Sequence, residues 1–466
     1  MTDLLDSQYR DPATIVDLPL VTDTDPHANL LIPDGSLTVR RSVLPGGIRL
    51  LTQHVPSAES TAIGFWFGVG SRDESAHDAG VSHFLEHLLF KGTNRLTALD
   101  IAQRFDGAGA EWNAATTMES TYYWSHMVDS DLPSLLPTLV EMVTDAALRA
   151  DDVDTERYVI LDELAMTEDS STDVLFEHFS ESLYPDSSLG RPIGGHPETV
   201  RDMPRDLIER VYRERYQANT LVVAAAGSVR HDDLAEMLLR ALRNSPWTIG
   251  GEGMPAPRRV GTESHPQNQI VNPGGNDQPQ PDGQPSRIVV RKEVEQAHVV
   301  VGGPHLAALD PLGPVSSVLL DVLGGGMSSR LFQEIRERRG LAYSTFAFGP
   351  AYTGIGNFGL YASCSPSKLT EVENLLWGEL EKLAATGPTQ AEMTRTKGQE
   401  RGGLQLGLAE TTARMSRLAN ADLRGRLIPT PDALARIDAV QAEDVQALAA
   451  RMLEVPRHTV VVTSRS

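Results

Sequence analysis

Cysteine is almost missing from this chain: one residue, Cys364, in 466. A single thiol excludes an intramolecular disulfide and fits a reducing compartment. It ends Leu360-Tyr361-Ala362-Ser363-Cys364, which reads as a strand, so a buried structural thiol is expected rather than a nucleophile. Long apolar runs are missing too. No stretch of about eighteen apolar residues occurs, so no membrane-spanning helix is expected. Asp3, Asp6 and Asp11 precede any apolar run, against the pattern of a secretory signal or a transit peptide. These features predict a cytoplasmic protein. Basic residues are scarce beside acidic ones, 41 against 63, for a formal net charge of −22. Such a surface repels nucleic acid and anionic lipid and attracts basic ligands. Neither a nucleic-acid partner nor membrane insertion is expected.

What the chain does carry is His83-Phe84-Leu85-Glu86-His87. Two histidines four apart, with a glutamate just before the second, fall on one face of a helix. Imidazoles so stacked can bind one Zn²⁺ while the carboxylate reaches water held beside it. The order H-x-x-E-H inverts the commoner H-E-x-x-H zinc-protease pattern. The plain alternative is a surface helix with two solvated histidines, and Phe84, Leu85, Leu88 and Leu89 fit that as well.

At this length one core does not suffice, so two or more domains are expected. Residues 1–36 are polar and turn-rich and read as a loose extension. Thr38–Val43, a turn at Pro45-Gly46-Gly47 and Ile48–Gln53 predict a hairpin. Thr61–Val69 reads as a buried strand, and the motif helix runs from about Ser82 to Phe90. Thr97-Ala98-Leu99-Asp100 predicts a capped helix start. Glu111–Thr116 and Thr121–Ser125 read as paired strands. Leu132–Leu148 and one long segment from Asp152 to Leu183 read as helices, and Leu221–Ala226 as a strand. Residues 249–285 are rich in Gly, Pro, Asn and Gln and predict a flexible linker.

Beyond it the element order repeats: strands at Arg287–Val294 and Ala297–Val301, helices near 314–323 and 329–338, strands at Tyr343–Phe348 and Gly354–Ser363. Three helical stretches and a closing strand at Thr459–Thr463 follow. The repeat predicts a tandem duplication, with a metal-binding half at 37–248 and a second half at 286–466 that lacks H-x-x-E-H. Antiparallel strand pairs mixed with long helices predict an α+β fold.

The motif's setting is Gly80-Val81-Ser82-His83-Phe84-Leu85-Glu86-His87-Leu88-Leu89-Phe90-Lys91-Gly92-Thr93, followed later by Glu156-Arg157-Tyr158-Val159-Ile160-Leu161-Asp162-Glu163. It resembles the M16 family of zinc peptidases, the group of mitochondrial processing peptidase, pitrilysin and insulin-degrading enzyme. The resemblance runs from about residue 38 to the C-terminus and is strongest to the processing-peptidase branch. It implies two homologous α+β domains facing each other across a cavity. It implies one Zn²⁺ per chain on His83, His87 and Glu163, the last being 76 positions beyond His87. Glu86 would be the general base, and Glu156 would hold a ligand histidine or the water from outside.

The resemblance reaches further residues. Asn113 and Ala114 match a strand that receives an extended substrate along its edge. Arg336 and Tyr343, seven apart in the second half, match a pair that reaches the substrate carbonyl, where a phenol stabilises developing charge. Asp173 and Glu177, on what reads as a continuation of the Glu163 helix face, match acids that hold an arginine two residues before the cut. Gly324-Gly325-Gly326 resembles a short form of the family's glycine-rich loop, or a helix break; the phosphate-loop spacing is absent. The implied activity is a zinc endopeptidase acting on extended peptides, in a homodimer. A scaffold subunit of the same fold and a peptide-binding module without turnover are the rival readings.

Overall fold

The computed structural model describes residues 9–20, 29–247, 249, 253–259 and 284–464. Continuous apolar runs form strands covered on both faces. Ser60–Phe67 and Leu221–Gly227 are such strands, and they sit at the centre of a seven-stranded sheet. Its order is Leu30–Asp34, Leu37–Leu44, Ile48–His54, Leu221–Gly227, Ser60–Phe67, Thr121–Val128, Glu111–Thr116. Ile48–His54 and Leu221–Gly227 run parallel; every other neighbouring pair is antiparallel.

The second half builds a sheet in the order Ser286–Arg291, His458–Thr463, Ala297–His305, Ile355–Cys364, Ala342–Phe348. Here the first pair is parallel and the rest antiparallel. These five strands repeat the last five of the first sheet in order and polarity. The duplication read from the element order is therefore present in the topology. Cys364 is buried at the end of its strand, as expected.

Each sheet has one face covered by its own helices. In the first half these include Val81–Leu89, Leu132–Thr144, Arg205–Arg215 and His231–Leu242. In the second they include Gly313–Gly324, Leu369–Thr386 and Ala442–Glu454. The opposite faces are covered by exchange. Helix Thr411–Arg424 of the second half sets Met415, Leu418 and Ala419 on Leu51, Ala62, Trp66, Val222 and Ala224 of the first sheet. Helix Ser171–Leu183 of the first half sets Val174, Leu175, Phe179 and Leu183 on Val300, Tyr361, Val460 and Val462 of the second. Full burial of one such side chain is worth about 1.5–3 kcal/mol, so the seam is a large apolar interface.

Charge also crosses the seam. Asp422, on the helix Thr411–Arg424, lies 2.7 Å from Arg41, 3.1 Å from Arg49 and 3.2 Å from Arg258. Arg417 on the same helix bonds Asp34 at 2.9 Å.

Several expectations are corrected. The segment read as one helix from Asp152 to Leu183 is two, Ala150–Asp169 and Ser171–Leu183. Ser170 is extended and its hydroxyl accepts from Asp173 N, so capping competes with helix continuation there. The helix read to Leu148 stops at Thr144. Among the described residues the α-helices after Cys364 number five rather than three: Leu369–Thr386, Gln390–Gly407, Thr411–Arg424, Thr430–Ala439 and Ala442–Glu454.

The 1–36 segment is not loose where it is described. Leu30–Asp34 is a sheet strand, Val16–Asp17 pairs with Arg426–Leu427, and Tyr9 enters the second half's core. Of the proposed linker, residues 253–259 run across the first half, with Ala256 N donating to Asn219 O at 2.8 Å. Residues 1–8 and 21–28 of the extension, and 250–252 and 260–283 of the linker, lie outside the described residues.

Candidate metal centre

The motif helix Val81–Leu89 begins directly after Gly80, whose φ of 95° favours glycine. A Cβ there would meet Gly194 O at 2.6 Å. The helix start is held by buried Glu74, whose two carboxylate oxygens accept from Gly80 N at 2.8 Å and Ser82 N at 2.7 Å. Burial pushes this carboxyl up to about 7, against the two backbone donors. Phe84, Leu85, Leu88 and Leu89 enter the core. With that face fixed, His83, Glu86 and His87 share the partly exposed stripe.

Helix Ala150–Asp169 packs against this stripe and buries Val153, Glu156 and Ile160. It brings Glu163 to the histidines. His83 Nε2 and His87 Nε2 are 3.2 Å apart, Glu163 Oε1 is 3.8 Å from the first and Glu163 Oε2 is 3.5 Å from the second. Donors held tetrahedrally at about 2.0–2.1 Å from one Zn²⁺ stand about 3.3 Å apart. The donor set and its spacing fit that ion. Among the described residues this is the one group of three His, Cys, Asp or Glu side chains gathered this way.

Glu156 Oε1 lies 2.8 Å from His87 Nδ1, and Glu156 Oε2 lies 2.5 Å from Lys91 Nζ. A proton on Nδ1 leaves the Nε2 lone pair facing Glu163, the tautomer a ligand needs. Burial alone would lower the His87 pKa, but the Glu156 hydrogen bond and the surrounding acids raise it. His83 is lowered, first by burial and then by the charge of His87. Glu156 itself is lowered: burial opposes ionisation, and the bonds to His87 and Lys91 outweigh it.

The strand Glu111–Thr116 is the outer strand of the first sheet, so among the described residues one edge of it faces no other strand. Asn113 is exposed there, its Oδ1 accepting from Ala114 N at 2.8 Å, and Ala114 is buried. Thr116 Oγ1 reaches Ser82 O at 3.5 Å, which ties this edge to the motif helix.

In the second half, Arg336 and Tyr343 come together. Arg336 Nη1 donates to Tyr343 O at 2.9 Å, and its guanidinium lies over the Phe332 and Tyr343 rings. Tyr343 is 73% exposed. Both positions are irregular: Phe332–Arg338 is π-helical and Tyr343 is the extra residue of a β-bulge. Such irregularities concentrate at functional sites. The structure joins these two residues to each other and gives no contact with the first half's donors.

Asp173 and Glu177 do not continue the Glu163 helix, because the chain breaks at Ser170. They stay within electrostatic reach of one another. The Glu177 carboxyl is raised by burial, then by the charge of Glu168, with Asp173 adding and His178 opposing. Two contributors went unread in the sequence, Lys91 and Glu74. Lys91 stands one helical turn beyond His87, the spacing of side chains on one face. Glu74 has no local pattern.

The strand order, the exchanged helices and the two-histidine, one-glutamate donor set describe a zinc-peptidase architecture of known type. Residues 49–196 match the family model described as Insulinase (Peptidase family M16), and residues 202–400 match Peptidase M16 inactive domain. The chain belongs to peptidase family M16. It is 40% identical to an uncharacterized zinc protease of Streptomyces coelicolor, over 89% of this chain and 87% of that one. It is 39% identical to one of Mycobacterium tuberculosis, over 90% and 92% respectively. A solved structure of a protease from Helicobacter pylori shares the fold, with a TM-score of 0.79 at 20% identity over 94% of this chain and 99% of that one. The model matched over 202–400 is the one described as inactive, and the second half lacks the motif.

Proposed function

We propose that the chain is a zinc-dependent endopeptidase that hydrolyses extended peptides or unfolded segments. The observation that carries this is the triangle of His83, His87 and Glu163 donors with Glu86 on the same helix stripe. His83, His87 and Glu163 would hold Zn²⁺. When bound, the ion supplies Lewis acidity and lowers the pKa of water from about 15.7 to near 7. Glu86 takes the proton of the attacking water and passes it to the leaving amine. Glu156 fixes the tautomer and ring orientation of His87.

Substrate lies along the free edge of Glu111–Thr116, with Asn113 bonding its backbone. Tyr343, aimed outward by its bulge and backed by Arg336, stabilises charge on the carbonyl oxygen. The acids Asp173 and Glu177, with Glu168, favour arginine near the cut, as in the processing-peptidase branch. The same resemblance carries pairing of two chains, which sedimentation equilibrium measures, and the single cysteine supports action in a reducing cytoplasm.

Metal analysis and cleavage of a fluorogenic basic peptide test the proposal together. The expected result is one zinc per chain, cleavage abolished by chelator, and a Glu86→Gln protein that keeps zinc and melting temperature but loses nearly all turnover. Near-normal turnover in zinc-loaded Glu86→Gln would sink the assigned mechanism. Zinc without cleavage would point to a peptide-binding module, and absence of zinc to a scaffold subunit.

A further inference from the structure

Three consecutive charged residues, Arg72-Asp73-Glu74, follow the strand Ser60–Phe67, and each is bonded to a different part of the molecule. Arg72 Nη1 donates to Glu119 Oε1 at 2.5 Å and to Thr353 O at 2.9 Å. Thr353 is the tip of a second-half hairpin, between Ala351–Tyr352 and Ile355–Cys364. Glu119 holds the same tip, accepting from Thr353 N at 3.0 Å and from its hydroxyl at 3.1 Å. Asp73 Oδ2 accepts from Arg259 of the connector at 2.5 Å. Glu74 holds the start of the motif helix.

Backbone bonds add a fourth attachment. Ser71 N donates to Thr117 O at 3.1 Å and Arg72 N to Met118 O at 2.9 Å. Thr117 and Met118 lie in the turn that ends the edge strand Glu111–Thr116. The side chains of Arg72, Asp73 and Arg259 are 9%, 7% and 12% exposed, so these charge-assisted bonds act in low dielectric. Adjacent residues sit about 3.8 Å apart along a stiff chain. A shift of the second-half hairpin or the connector therefore moves the Glu74 carboxylate, and with it the helix that carries His83, Glu86 and His87.

We propose that Arg72, Asp73 and Glu74, with Glu119, are positioning residues that couple the seating of the second half to the metal-binding helix. This rests on the hydrolase reading. It adds that the first half reaches its working geometry only when Thr353 and Arg259 are in place. The device suits a site whose groups come from both halves, because misplacement of about 1 Å can cost roughly a hundred-fold in rate.

The test uses the full-length protein stripped with chelator and reloaded with Co²⁺, whose visible absorption reports ligand geometry without substrate. Glu119→Ala is expected to change that band and lower kcat about 10- to 100-fold, with KM within about two-fold. Glu119→Gln, which keeps an acceptor for Thr353, should recover much of both. Glu74→Ala should change the band likewise. A Glu74→Ala, Glu119→Ala double variant should lose no more than the larger single loss, since both cut one connection. If Glu119→Ala proves unfolded by circular dichroism, Arg259→Gln replaces it with the same expectation. An unchanged Co²⁺ band in folded Glu119→Ala or Arg259→Gln, or losses that multiply in the double variant, would overturn the coupling. A chain that binds Co²⁺ but cleaves nothing would overturn the hydrolase reading, while the band still decides this one.

Discussion

Asp422 offers the sharpest test of how the halves are held together. It is fully buried, and the three cations that face it come from two places: Arg41 and Arg49 from the first sheet, Arg258 from the connector. Burial opposes its ionisation, yet the charges of Arg258, Arg49 and Arg41 bring its pKa down from 3.8 to about 2. That difference of roughly two units corresponds to about 2–3 kcal/mol at neutral pH, at about 1.36 kcal/mol per unit. Replacing the carboxylate also strands three buried guanidiniums, and removing one partner of a buried pair costs about 3–5 kcal/mol. The larger figure applies to Asp422→Asn, because substitution removes the counter-charge and proton uptake alone does not describe that.

Urea unfolding followed by circular dichroism at pH 7 measures the loss. A destabilisation below about 1 kcal/mol would refute the argument that these charges are tightly paired. The pH dependence gives a second check. The folded pKa is depressed, so the contribution is present above about pH 4 and lost as pH falls toward 2. The stability gap between wild type and Asp422→Asn should narrow by about 2–3 kcal/mol over that interval. A gap that stays constant would refute it.

Glu156→Gln should weaken zinc binding about 10- to 100-fold, measured by competition with a chelator, because it loosens the grip on His87 Nδ1; unchanged affinity would remove Glu156 from the site. Tyr343→Phe should lower kcat about 100- to 1000-fold if its hydroxyl meets developing charge, and rates within two-fold of wild type would return Tyr343 to an exposed ring beside Arg336. Replacing Asp173 and Glu177 by Asn and Gln should erase a preference for Arg over Lys and Ala in cut-site profiles from a peptide library, while identical profiles would make both acids ordinary surface charges.

Local physics was readable in advance. The hairpin Leu37–Leu44 to Ile48–His54 follows from alternation and its Pro-Gly-Gly turn, and the cap at Thr97 forms as its four residues predict. The stripe of His83, Glu86 and His87 follows from the helical period alone. The meeting of Glu163 with that stripe does not, since no local pattern spans 76 residues; the family resemblance supplied it. The break at Ser170 was present in the sequence as a serine three residues before Asp173, but the apolar period continues through it and hides the cap. The exchanged helices were beyond reach. An amphipathic helix shows that it needs an apolar partner and never which sheet supplies it, so Thr411–Arg424 and Ser171–Leu183 could not be assigned to the opposite halves. Arg258 and Arg259 lie in a stretch whose composition reads as linker, and only the fold shows what they bond.

The duplication also explains in residues why one half carries the candidate metal donors. Helix Gly313–Gly324 follows Ala297–His305 as Val81–Leu89 follows Ser60–Phe67, and it packs on Gln390–Gly407 as the motif helix packs on Ala150–Asp169. Its less buried stripe includes Ser317, Leu320 and Asp321, with the spacing of His83, Glu86 and His87. The crossing helix presents Glu400, bonded by the Ser317 hydroxyl and by Asp321. Where the first half sets an imidazole against Glu156, the second sets one acidic side chain against another. Burial, then the charge and hydrogen bond of Glu400, push Asp321 up to about 7. Leu320 stands where Glu86 would supply a base, and no nitrogen donor lies on the stripe. The same helix pair thus differs between the halves in three side chains at one spacing, and only the first half's set includes candidate metal donors.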